Sequence, residues 1–247
     1  MNGFIGEFFG TMILILIGGG CSASVNLKRN YAHGSGWWFV CASWGLAVTM
    51  GVYVAGFLGS QGHLNPAVTI PYALFGLFPW KQVLPYLAGQ FLGAFVGATL
   101  FVIQYYPQFK ATKTEKEGNS VGIFATRPAI KSPLFNFLSE VIATFAFVFI
   151  LLNLGNFTTG MKPFIVGLLI TVIGTGLGST TGFALNPARD WSPRLAYTIL
   201  PVPNKSSAEW WYACFLLATP LTASGTPSLS NCLMSASLKC PAVITGT

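Results

Sequence analysis

Two identical triplets constrain this chain more than any other feature. Asn65-Pro66-Ala67 and Asn186-Pro187-Ala188 stand 121 residues apart in a chain of 247. Each opens an apolar stretch, 66–78 and 187–200, that is too short to cross a bilayer. Around them run five stretches that are long enough, near 3–25, 37–58, 83–106, 134–154 and 163–181. The first holds Glu7 and lacks a basic start, so it reads as a span and not as a cleaved leader. Only 8% of residues are charged and the mean hydropathy is +0.62, whereas a soluble domain carries about 25% charged residues. A water-exposed globule, a nucleic-acid binder and a disulfide scaffold are excluded. The chain is an integral membrane protein by composition.

Asn is a favoured N-cap and Pro a favoured first helical residue, where its missing N–H costs nothing. Each triplet therefore predicts the start of a short helix. A second repeated feature halves the chain at the same place, with Glu7 in Gly-Glu-Phe-Phe-Gly-Thr and Glu140 in Ser-Glu-Val-Ile-Ala-Thr. Each half reads as span, span, half-span, span. Three spans per half is odd, so the halves are inverted across the bilayer. The half-helices then meet near the midplane, N-terminus to N-terminus, each end carrying about half a positive charge. Two such ends repel cations, and the two Asn amides can donate to the oxygen of a neutral molecule. Glu7 and Glu140 are costly inside spans. They read either as proton relays or as acceptors for the backbone of the re-entrant loops. His63, beside the first cap, reads as a pore-side or loop-bracing group. No metal ligand set, catalytic constellation or cofactor motif is present, and the five cysteines show no metal-like spacing.

With both triplets intact, residues 3–213 resemble the major intrinsic proteins, the aquaporin family. The resemblance implies an all-α membrane protein: six transmembrane helices plus two re-entrant half-helices, built as an inverted repeat. It implies one channel domain over 1–247, with repeats at 1–106 and 133–213, a connecting loop at 107–132 and an atypical segment at 214–247. A homotetramer in the cell membrane, with one pore per subunit and membrane lipid as a partner, follows from the same resemblance. By position, Trp44, Gly174, Phe183 and Arg189 match the walls of the family's outer constriction. Water-selective members have histidine where this chain has Gly174, so a wide ring is expected, with Trp44 and Phe183 as an apolar corner and Arg189 as a hydroxyl donor. That pattern resembles the glycerol-facilitating branch, as do Asp190 and Phe124-Ala125-Thr126-Arg127-Pro128. The implied permeants are glycerol and water, with other small neutral solutes open. The alternatives are a water-selective channel, a proton-coupled polyol carrier using Glu7 or Glu140, and a non-conducting product of a gene with an altered end.

Three features depart from the pattern. Pro71 falls inside the first half-helix, where it removes one helical bond and predicts a kink. Basic residues crowd the connections that the family orients outward (Lys28, Arg29 and 107–132), which leaves orientation open under the positive-inside rule. The 107–132 connection carries seven charges and is expected to be a solvated loop. Beyond Ala213 the sixth span is interrupted by Pro220, and 221–247 lacks aromatic residues. That span is expected to be partly missing.

Overall fold

A computed structural model describes residues 3–112, 120–155, 157–158 and 160–213. These residues form ten helices and no strand. The spans are α1 (Phe4–Asn26), α2 (Trp37–Phe57), α4 (Trp80–Gln104), α7 (Pro133–Asn153) and α8 (Met161–Leu177). Four of them are long and apolar enough to cross a membrane, and α8 is apolar with 17 residues. The half-helices are α3 (Pro66–Leu74) and α9 (Pro187–Ile199). Short helices α5 (Tyr106–Ala111), α6 (Ser120–Phe124) and α10 (Trp210–Ala213) complete the set. The predicted sixth span, with Cys232 and Cys240, lies outside the described residues, as do Lys113, Glu115, Lys116 and Glu117.

Glycine lets the spans approach to backbone contact. A Cβ on Gly89 or Gly97 of α4 would stand 2.6 or 2.5 Å from the carbonyls of Phe4 and Met12 on α1, and one on Gly93 would collide with Phe8. The two halves meet in the same way where α2 crosses α8. Gly45 faces the carbonyl of Gly167, Gly167 faces that of Gly45, and Thr171 and Thr49 cover them reciprocally. Such close crossings give membrane helices the van der Waals contact that replaces a hydrophobic driving force.

Pro71 does not end α3. The helix runs one turn past it and stops at a Schellman turn, in which Gly76 takes φ 71°, its N–H donates to Ala73 O (3.2 Å) and that of Leu77 to Tyr72 O (2.9 Å). The apolar residues 75–78 therefore lie beyond the helix. The second half-helix also contains a proline, Pro193, and continues to Ile199, just before Pro201. The described parts of the 107–132 connection, 107–112 and 120–132, bury much of their apolar surface. Phe109, Val121, Ile123, Phe124 and Ala125 are fully buried, and the Phe124 ring packs on Phe101 (4.8 Å) and Tyr197 (4.9 Å).

Candidate functional site

The site is assembled by the two loops that enter α3 and α9. Asn65 caps α3 through its Oδ1, which accepts the Ala67 N–H at 2.8 Å. Asn186 caps α9 in the same way, accepting from Ala188 (3.0 Å) and Arg189 (3.2 Å). Pro66 and Pro187 fill the first helical positions, and Ala67 and Ala188 are completely buried behind them. Each Asn also reaches across to the other half. Asn65 Nδ2 donates to Leu185 O at 2.9 Å, and Asn186 Nδ2 donates to Leu64 O at 2.7 Å. A side-chain amide has two N–H donors, so one from each Asn is left for whatever occupies the cavity that both residues line.

Those two carbonyls face the opposite half because Leu64 and Leu185 sit in the left-handed region, at φ 51° and 52°. For a branched side chain this backbone costs roughly 1–3 kcal/mol and persists only where the surroundings enforce it. The buried carboxylates do so. Glu7 accepts the N–H of His63 (2.9 Å) and of Leu64 (2.7 Å), and also bonds to Gln90 Nε2 (2.7 Å) and Ser60 Oγ. Glu140 accepts the N–H of Ala184 (3.2 Å) and of Leu185 (3.3 Å), together with the Tyr212 hydroxyl (2.9 Å). His63 Nδ1 lies 3.2 Å from Thr69 Oγ1, and its ring packs among Tyr72, Phe78 and Tyr86.

Two cavities reach this centre from opposite faces. We term the face bearing the N-terminus of α2 the outer one. The inner cavity, about 410 Å³, is lined by both Asn residues, by a row of Val, Leu and Ile side chains, and near its mouth by His63 and Lys162. The outer cavity, about 300 Å³, has Trp37 and Val40 on one side and Ser22, Asn26, Thr126 and Arg127 among its polar groups. Three residues line both cavities: Trp44, Phe183 and Arg189. They mark the neck between them.

Each of the three is held by its neighbours, and of these Gly18 and Ser22 carried no signal in the sequence. The Trp44 indole lies against Gly18 of α1, where a Cβ would stand 2.5 Å from its ring, and donates Nε1–H to Ser22 Oγ at 3.1 Å. The Arg189 guanidinium covers the ring with Cζ 3.9 Å from the centroid, a cation–π contact, and Nη1 donates to Phe124 O at 3.4 Å. Gly174 lines neither cavity. It acts by vacating space, because a Cβ there would stand 2.9 Å from Phe183 Cζ and 3.0 Å from Cys41 Sγ. The ring of Phe183 occupies that space. The absent Cβ lets Phe183 lean back onto the α8 backbone.

Asp190 and Arg194, both fully buried on α9, secure the outer wall. Asp190 Oδ1 accepts from Arg194 Nε (2.9 Å) and Nη2 (2.8 Å), and Oδ2 accepts from the N–H and Oγ1 of Thr126 (2.7 Å each). Arg194 returns a bond to Thr126 O (2.7 Å) and another to Ala208 O (2.6 Å). Pairing with a full set of hydrogen bonds is the condition under which buried charges are tolerated. The clamp fixes residues 124–127, and with them the carbonyl to which Arg189 is tied.

Comparison with known proteins adds an independent line. Residues 1–223 match the family described as "Major intrinsic protein". The chain is 66% identical over 221 residues to glycerol uptake facilitator protein 2 of Lactiplantibacillus plantarum, covering 90% of this chain and 94% of the relative. It is 46% identical over 223 residues to the glycerol uptake facilitator protein of Bacillus subtilis, covering 90% and 80% of the two chains. The crystal structure of the aquaglyceroporin from Plasmodium falciparum superposes with a TM-score of 0.77 at 30% identity, covering 90% of this chain and 91% of that one.

Proposed function

We propose a function from one premise: the chain belongs to the major intrinsic protein family. It is a passive transmembrane channel for glycerol, an integral membrane protein and not an enzyme. The single observation that carries the reading to residues is the neck shared by the two cavities, where the rings of Trp44 and Phe183 meet the Arg189 guanidinium, which lies against the Trp44 face. A linear polyol has one edge of C–H groups and one of hydroxyls. Trp44 and Phe183 receive the first, and Arg189 donates to the second. Water shares the path.

Past the neck, the free N–H donors of Asn65 and Asn186 hold the permeant's oxygen as it crosses between the two half-helix ends. The positive ends of α3 and α9, together with Arg189, oppose cations and hydronium. Beyond them the inner cavity is mostly aliphatic and releases the permeant towards Lys162. Glu7, with four donors on its two oxygens, and Glu140, with three, are engaged by the loops, which argues against a proton-coupled carrier. The outward rows of Leu46, Met50, Tyr53 and Phe57 on α2 suit contact with lipid or a neighbouring subunit, and a homotetramer in the cell membrane is our reading of the assembly. In the same reading the channel divides into repeats at 1–106 and 133–213, joined by 107–132.

The test is flux. In liposomes holding the purified chain, an inward glycerol gradient should give fast re-swelling with a low activation energy. Arg189→Val should slow it about tenfold, the factor that about 1.4 kcal/mol of lost hydrogen bonding sets. Rapid shrinkage by water efflux in the same gradient, without re-swelling, would make the chain a water channel instead.

A further inference from the structure

Trp37 is the first residue of α2, two helical turns outward of Trp44 on the same face. No motif points to it. Its indole Nε1–H donates to the Gly174 carbonyl at 3.1 Å, and its ring meets that of Phe183 edge to face, with centroids 5.5 Å apart and planes at 89°. It also lines the outer cavity beside Phe183 and Trp44.

Phe183 needs such a neighbour. Its backbone stands at φ 42°, in the left-handed region that bulky residues avoid, so its direction is imposed from outside. Behind the ring are the backbones of Gly174 and Gly178, either of which would collide with it if it carried a side chain. Those glycines provide room but no grip. Trp37 supplies a side-chain contact, and its hydrogen bond to Gly174 ties that contact to the floor on which Phe183 lies.

We infer that Trp37 is a specificity-determining residue: it presses Phe183 back onto Gly174 and thereby sets the width of the neck for linear polyols. The inference rests on the channel reading above. Trp37 does not touch the permeant in the neck; it acts through Phe183. With the indole bond gone, Phe183 swings between positions, and the sharp size limit between a three-carbon and a five-carbon polyol blurs.

The experiment compares glycerol and xylitol entry by light scattering, in liposomes holding the full chain, Trp37→Phe, Phe183→Leu or the double variant. The ratio of the two rates does not depend on how much protein is folded. Trp37→Phe keeps an aromatic ring but loses the N–H donor. It should raise the xylitol-to-glycerol ratio about fivefold, which corresponds to about 1 kcal/mol. In the Phe183→Leu background the same change should leave the ratio unaltered, because the ring it positions is absent. An unchanged ratio in Trp37→Phe, or loss of both rates in proportion, would overturn the proposal. So would an equal shift in both backgrounds. Absence of glycerol entry in the parent chain would overturn the channel reading itself, a distinct result.

Discussion

The centre of the pore and its outer neck are built on opposite plans. At the centre the main parts occur twice: Asn65 with Asn186, Leu64 with Leu185, and the Glu7 pair of loop bonds with the Glu140 pair. The neck has no such duplication. Shifting by the 121 residues that separate the triplets, Arg189 corresponds to Val68 and Phe183 to Gly62. Shifting by the 122 residues that pair Gly45 with Gly167, Trp44 corresponds to Val166 and Gly174 to Val52. All four counterparts line the inner cavity. At the four matched positions one end of a two-fold scaffold carries two aromatics, a cation and a glycine, and the other carries three valines and a glycine. In the proposed reading, solute choice belongs to the part that broke from the duplication, while cation exclusion draws on both, through the half-helix ends and Arg189.

The largest effect should come from attacking the symmetry. Glu7→Ala and Glu140→Ala each strand two backbone N–H groups in a dry interior, at roughly 1–3 kcal/mol per group, and release a left-handed leucine. Each should abolish glycerol flux and sharply reduce the yield of folded protein on detergent gel filtration. A chain that tolerates one and not the other would show that the halves are not mechanically equivalent. A smaller effect is expected at the neck. Gly174→His drives a side chain into the space held by Phe183, so the ring must tilt into the path. Stopped-flow scattering should then show glycerol entry falling several-fold more than water exit, and a parallel fall in both would mean that the neck is not what separates them. The smallest effect belongs to the counterpart position. Val68→Ala trims the wall of the larger, inner cavity and should leave the glycerol rate within about twofold, a change of about 0.4 kcal/mol. A strong loss there would place part of the selectivity at the inner end.

Much of this design is legible in the residues alone. The triplets announce their helix starts because Asn and Pro act locally, on the first turn. The spans announce themselves by length, and the structure moves their ends by only a few residues. What could not be read depends on neighbours distant in the chain. Gly18 and Ser22 seat Trp44 from another helix, and Trp37 reaches Gly174 across 137 residues. Composition does not mark the end of α3, because apolar character continues through 75–78 while Gly76 turns the backbone. Charge misrepresented the 107–132 connection, since its buried Phe109 and Phe124 are spread among lysines and glycines and form no periodic face. Gly174 was matched to the constriction by position, but that it works through the ring resting on it required the packing.

The reciprocal amide bonds of Asn65 and Asn186 have a consequence for how the molecule comes into being. They make the middle of the pore an interface between two parts of one polypeptide, with neither part able to complete it alone. A ribosome feeding the chain into a bilayer delivers Asn65 long before its acceptor on Leu185. Until the second loop arrives, the Leu64 carbonyl and the Asn65 amide stay unmatched, and water is the natural stand-in. The middle of the path is thus completed only when the second loop closes on the first.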